Sequence, residues 1–185
     1  MRTTSTAQHQ AQMISTRLPG QLPRLLPAGF AAGPASLADH HARYGKLPLA
    51  GRGSARQAAL VEEVGRSGLR GRGGAAFPTA RKLTAVAAGH APLVLANGTE
   101  GEPASAKDKV LLARSPHLVL DGAVLAAEVV RASQAVIVVH HSVREIVDDA
   151  AAERRAAGSD PVSIRVVTAA DRFVSGELDY HRQRR

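Results

Sequence analysis

The sequence predicts an α/β fold, a three-layer arrangement in which a parallel sheet carries helices on both faces. Two observations carry that expectation. Apolar runs at residues 92–96, 135–139 and 162–167 alternate with helix-patterned segments at 115–131 and 142–157, and parallel neighbours can be joined only by crossovers of a dozen or more residues. The middle run, Ala135-Val136-Ile137-Val138-Val139, is continuously apolar, as a strand covered on both faces should be. Right-handed crossovers then set the ligand edge at the carboxyl ends of the strands.

Taken in order, residues 1–33 mix Gln, Thr, Ser, Pro and Gly without a sustained period and read as a flexible N-terminal arm. Ser36 opens a short helix to Tyr44, with Asp39 three residues after the cap and Gly45 as the stop. In residues 54–66, Ala58, Leu60, Val61 and Val64 share a helical face, and Gly65 and Gly68 end the pattern. Pro78 suits the first turn of a helix running to about Ala88. Residues 92–96 are a short buried strand with Asn97-Gly98 as its exit turn. Ser115-Pro116 starts the helix that runs to Arg131, with the proline at its first position. Ser142 paired with Glu145 is a capping box for residues 142–157, which stop at Gly158. Three segments fall at strand carboxyl ends: 97–102, His140-His141 and 169–177.

Composition bounds the function. The 185 residues suffice for one core, built from Ala, Val and Leu because aromatics make up 3%. The absence of cysteine excludes disulfides, thiolate catalysis and any Cys-ligated zinc or iron–sulfur centre in this polypeptide. No apolar run approaches the roughly 20 residues that cross a bilayer, and the N-terminus lacks the apolar stretch of a secretory signal, so a cytoplasmic protein without membrane insertion is expected. The net charge of +8 is uneven: 12 Lys and Arg stand against three Asp and Glu in residues 1–90, and 12 against 13 in residues 91–185. That distribution suits a localised anion site or an arm on an acidic partner. Nucleic acid is not the expected partner, because stacking aromatics are too few.

The basic half centres on one segment, Gly68-Leu69-Arg70-Gly71-Arg72-Gly73-Gly74-Ala75-Ala76-Phe77-Pro78-Thr79-Ala80-Arg81-Lys82. Glycines let backbone approach a ligand closely. Successive N–H groups in such a loop form an anion nest, and the following helix start adds positive charge. A flexible basic loop would show the same composition. Gly71-Arg72-Gly73-Gly74-Ala75-Ala76 fits the dinucleotide pattern G-x-G-x-x-G/A, but that fingerprint requires a preceding strand and this loop follows a helix. A second cluster, Asn97-Gly98-Thr99-Glu100-Gly101-Glu102-Pro103, gathers an amide, a hydroxyl and two carboxylates at a strand end. It suits the hydroxyls of a sugar or ribityl chain, and equally a solvated acidic turn. Lys107-Asp108 reads as an ion pair or helix cap. His140 and His141, adjacent on a strand, should point to opposite faces and so do not make a metal site.

Together these segments resemble the NADH-binding FMN flavoprotein subunit of respiratory complex I, a family shared with NAD-linked hydrogenases and formate dehydrogenases. Members carry a stretch close to S-G-L-R-G-R-G-G-A-G-F-P-T-G-x-K, which residues Ser67 to Lys82 repeat with Ala76 and Ala80 in place of two glycines. A second stretch, N-A-D-E-S-E-P followed by K-D, is matched by Asn97 to Pro103 and by Lys107-Asp108. A third, P-H-L-x-x-x-G, is matched by Pro116-His117-Leu118 and Gly122. Across about residues 54 to 177 the resemblance implies FMN as cofactor, NAD(H) as substrate, hydride transfer between them, and other subunits of an NAD-linked redox complex as partners. It implies that the loop of Gly71, Arg72, Gly73 and Gly74 passes along the flavin and that Lys82 and Asn97 contact it. Glu100 and Glu102 match acids near NADH, and Phe77 matches an aromatic that stacks on its adenine.

The departures shape the rest of the expectation. Thr99 stands where the family has Asp, and the second adenine-stacking aromatic falls on Ala85. The family's Y-x-C-G-E-E-T-A is matched only by Phe173-Val174-Ser175-Gly176-Glu177, with Gly176 and Glu177 at cofactor positions, and the pattern is left at Leu178. Members continue beyond it, completing the flavin fold and adding a ubiquitin-like domain and a four-helix domain with Cys ligands. The expected organisation is the arm, a partial FMN/NADH-binding domain over residues 34–177, and a basic divergent tail over 178–185. A truncated module of this kind should bind FMN weakly and oxidise NADH poorly. The rival expectations are an inactive or partner-dependent remnant of the subunit, and a basic anion- or RNA-binding protein without redox activity.

Overall fold

The computed structural model describes residues 25–26, 33–47, 54–72, 75–100 and 104–169. Its elements in order are α1 (Leu37–Tyr44), α2 (Ser54–Arg66), α3 (Thr79–Ala87), β1 (Val94–Gly98), α4 (Lys107–Arg114), α5 (Pro116–Val130), β2 (Gln134–Val139), a 3₁₀ turn (His141–Val143), α6 (Arg144–Ala156) and β3 (Ser163–Thr168). The three strands are parallel in the order β1-β2-β3, so the alternation of apolar runs with helical segments reads out as a parallel α/β sheet flanked by helices.

Register explains the core. Val94 pairs with Ala135 and Ala135 with Ile164, while Ala96 pairs with Ile137 and Ile137 with Val166. These two rows share one face and pack with Leu112 of α4, Leu120, Val124 and Ala127 of α5, and Val147, Ala150 and Ala151 of α6. The alternate residues Leu95, Val136, Val138 and Val167 turn to the opposite face, as the two-residue period of a strand requires. Helices α2 and α3 pack on each other and on α5, adding Leu60, Val61 and Leu83 to the margin of the same core. Arg131, just past α5 at φ 61°, donates through Nε to Gln57 Oε1 at 2.6 Å. Gln57 Nε2 donates in turn to the Glu128 carbonyl at 3.2 Å, which fastens α2 to the end of α5. The expected arm touches this body at Leu25, whose carbonyl accepts from Ser115 Oγ at 2.8 Å.

Local signals for α1 and α2 hold: Ser36 caps through the Asp39 N–H, and Gly45 ends α1 at φ 80°. Three expectations are corrected. The first strand lies two residues later than the apolar run suggests, because Asn97 and Gly98 pair with Val138 and Val139 instead of turning. The capping box on Ser142 does not form. His140 Nδ1 accepts from the Ser142 N–H at 3.2 Å and lies 2.7 Å from its Oγ, a 3₁₀ turn intervenes, and α6 starts at Arg144 without a side-chain cap. Helix α4 is additional to what the residue pattern predicts.

A buried ionic network joins α1, α5 and α6. The Arg154 side chain, 2% exposed, donates through Nη1 to Asp121 Oδ1 at 2.7 Å. It grips Asp160 with both Nε (2.9 Å) and Nη2 (2.6 Å). Burial alone would lower its pKa, but the hydrogen bonds and charges of Asp160 and Asp121 outweigh that and raise it. The second oxygen of Asp121 accepts from His40 Nε2 at 2.7 Å. Beside it His117 sits 3.3 Å from Glu153, whose carboxylate also takes the Leu37 N–H at 2.9 Å.

His117 makes the fold acid-sensitive. Burial holds its pKa below the ordinary imidazole value of 6.5; Glu153 pulls it up, while Arg154 and His40 push it down. A histidine depressed in the folded state is protonated first in the unfolded chain. The contribution of His117 to stability is therefore full above about pH 6.5 and is lost as pH drops from there toward the folded value. Urea midpoints at pH 7.5 and 5.5 should differ less in His117→Gln than in the wild type. An equal difference in both would locate the acid sensitivity elsewhere.

Candidate functional site

The glycine loop is a closed ring. After α2, Gly68 turns the chain at φ 67°, and Arg70 and Pro78 face each other in an isolated antiparallel bridge. The Thr79 N–H donates to the Leu69 carbonyl at 3.0 Å, and the Gly71 N–H to the Phe77 carbonyl at 2.9 Å. These two bonds seal the neck and deliver the chain into α3. They also correct the anion-nest expectation at one point, since the Gly71 N–H is engaged inside the neck. What Gly71 offers is space: a Cβ there would meet nothing nearer than the Phe77 backbone at 3.8 Å. Ala76, one of the two alanines in place of family glycines, is held at φ 41°, where an L residue is strained. The other, Ala80, has its methyl 3.6 Å from where a Cβ on Gly65 would sit, at the contact of α2 with α3.

The ring is rimmed by exposed cations: Arg70 and Arg72 on it, and Arg81 and Lys82 on the first turn of α3. Phe77 is 49% exposed, with the Arg81 guanidinium 5.7 Å from its ring centroid. An aromatic face, a bare glycine and positive charge thus share one surface.

The second cluster forms at the end of β1. Asn97 Oδ1 accepts from the Thr99 N–H at 3.1 Å and from Thr99 Oγ1 at 2.6 Å, an Asx turn. Glu100 is turned inward, its side chain 2% exposed. Gly98 leaves little room for a side chain, because a Cβ there would lie 2.7 Å from Leu112 Cδ1 and 3.0 Å from the Val138 carbonyl. Close approach of α4 to the strand, and not a turn, is what needs this glycine.

His140 and His141 follow β2 and are side by side, ring centroids 4.1 Å apart, not on opposite faces, because the 3₁₀ turn takes His141 off the strand. No group of three His, Cys, Asp or Glu side chains able to hold a metal occurs among the described residues. Of the two readings of Lys107-Asp108, the ion pair forms, at 2.7 Å. The structure places Gly71, Arg72 and Phe77 on the ring and Lys82 on the first turn of α3, and Asn97, Thr99 and Glu100 in one turn. Gly73, Gly74, Glu102, Gly176 and Glu177 lie outside the described residues. Sequence reasoning missed Ser105 and Lys109, which both approach Glu100; the only signal was their place just after the acidic turn.

Comparison with known proteins gives the context for these two clusters. An F subunit of the NADH-quinone oxidoreductase of Rhizobium meliloti (strain 1021) is 41% identical over 80 residues, covering 42% of this chain and 19% of that protein. The corresponding F subunit of Mycobacterium bovis (strain ATCC BAA-935 / AF2122/97) is 35% identical over 108 residues, covering 54% and 24%. The chain thus spans about a fifth to a quarter of the length of these curated relatives. Among solved structures, an NAD+-reducing [NiFe]-hydrogenase in the H2-reduced state matches with a TM-score of 0.57 and 33% identity, over 65% of this chain and 22% of that one. The family model of the Nuo51 FMN-binding domain matches residues 64–180. That span takes in the ring, the strand-end turn and the whole sheet, and the chain belongs to the Nuo51 FMN-binding domain family.

Proposed function

We propose that this chain forms part of a flavin mononucleotide site in an NADH-oxidising flavoprotein assembly. The observation that carries the reading is the sealed, arginine-rimmed glycine ring leading into the first turn of α3. Its donor set suits the group: Arg70, Arg72, Arg81 and Lys82 supply charge for a phosphate, and the helix start adds to it. Gly71 leaves room for close approach, and Asn97 and Thr99 supply an amide and a hydroxyl for ribityl oxygens. When bound, FMN supplies the two-electron acceptor chemistry that oxidises NADH. The chain's own part is to bind and orient, with the half-exposed Phe77 offering its ring to an adenine. With no cysteine in the sequence, these residues provide no thiolate for an iron–sulfur centre. Partner subunits of an NAD-linked redox complex follow from the same reading.

Quenching of flavin fluorescence on titration with the full chain tests it. Gly71→Val should leave the far-ultraviolet circular dichroism unchanged, because the added Cβ meets the Phe77 backbone at an ordinary contact distance of 3.8 Å, and should weaken FMN by about tenfold or more by blocking the backbone approach. Equal affinity in both proteins would overturn the reading.

A further inference from the structure

We propose that Glu100 is a positioning residue: its carboxylate clamps the end of β1 to the first turn of α4 and acts on a bound flavin through Asn97 and Thr99, not by contact. The proposal rests on the flavin reading and deepens it. Glu100 Oε1 accepts from the Asp108 N–H at 3.0 Å and from Ser105 Oγ at 2.9 Å. Asp108 is the second residue of α4, and the residue before that helix, Ala106, contributes no side-chain cap. An N–H that the helix cannot satisfy by itself is therefore met from eight residues upstream, by an anion at the positive end of the helix dipole.

The other oxygen shows how committed the group is. Glu100 Oε2 is buried without a hydrogen-bond partner, with Lys109 Nζ 3.9 Å away. Enclosing a carboxylate so incompletely is unfavourable, and the arrangement makes sense if the bond at Oε1 is what matters. A side chain 2% exposed and engaged at α4 cannot also lie along a nucleotide without abandoning the cap. The other polar residues of the same turn are the exposed Asn97 and the half-buried Thr99, tied to each other just before Glu100 in the chain. Fixing Glu100 fixes where that Asx turn ends, so a flavin meets the turn already ordered and the binding-competent fraction is high.

Two readouts on the full chain test this: FMN affinity by fluorescence quenching, and amide hydrogen exchange at residues 107–109. Glu100→Ala should speed exchange at 107–109, leave 137–139 protected, and weaken FMN by about fivefold or more. Glu100→Gln keeps the acceptor at Oε1 and sets its amide nitrogen where Oε2 has no hydrogen-bond partner. It should keep the exchange pattern and bind FMN within about twofold of wild type. Equal loss of FMN affinity in both variants with exchange at 107–109 unchanged would mean direct contact and overturn the proposal. If Glu100→Ala also loosens 137–139, Ser105→Ala serves as the milder variant: faster exchange at 107–109 supports the clamp, and unchanged exchange overturns it. A wild-type chain that leaves FMN fluorescence unaltered refutes the flavin reading separately, and exchange in Glu100→Ala then decides the clamp alone.

Discussion

Arg154→Ala is expected to cost about 3–5 kcal/mol, a large share of the roughly 5–15 kcal/mol that holds a domain together. The reason is what it leaves behind. Asp121 and Asp160 have side chains 11% and 7% exposed, and without the guanidinium both face a low-dielectric interior. His40 still bonds one oxygen of Asp121, whereas Asp160 loses both of its bonds to Arg154. The effect should lie mostly in the stranded carboxylates, so Arg154→Met combined with Asp121→Asn and Asp160→Asn should recover a good part of it. Urea unfolding followed by circular dichroism measures both. A loss under about 1 kcal/mol in the single variant would show that water reaches the network and screens it.

Gly98→Ala comes next, at about 1–3 kcal/mol. The new methyl would stand 2.7 Å from Leu112 Cδ1 and 3.0 Å from the Val138 carbonyl. A side-chain terminus can move, but a carbonyl held in the β1–β2 ladder cannot move freely. Leu112→Val withdraws the closer obstacle, so the double variant should be more stable than the sum of the single effects by about 1 kcal/mol. Strict additivity in thermal unfolding would mean that the carbonyl alone sets the cost. The family pattern N-A-D-E, with alanine at this position, makes the pair with Leu112 a local property of this chain.

Much of the fold was legible because its signals are local or periodic. Ser36, Gly45 and Pro116 mark helix ends through their own backbone chemistry, and the run around Ile137 admits no reading but a buried strand. Failures occurred where a tertiary partner overrode a local signal. Asn97-Gly98 has turn composition, yet pairing with Val138 and Val139 extends the strand through it. Ser142 has a glutamate three residues on, yet His140 takes its N–H first. Of the site, the ring and the strand-end turn were visible as motifs, while the inward turn of Glu100 depends on Asp108 and Ser105 being brought to it. The ionic network left one trace in the sequence: Arg154 falls on the helical stripe of Val147, Ala150 and Ala151, where a cation is out of place unless something buried answers it.

The sealed neck of the glycine ring changes what a proteolytic cut there would do. The Gly71–Phe77 and Leu69–Thr79 bonds join the two sides of the ring outside any bond broken within it, and α2 and α3 are each seated on α5. Cleavage after Arg72 would open the ring without freeing either arm. The nicked chain would stay together as two fragments, losing the continuity of the ring before it lost the fold.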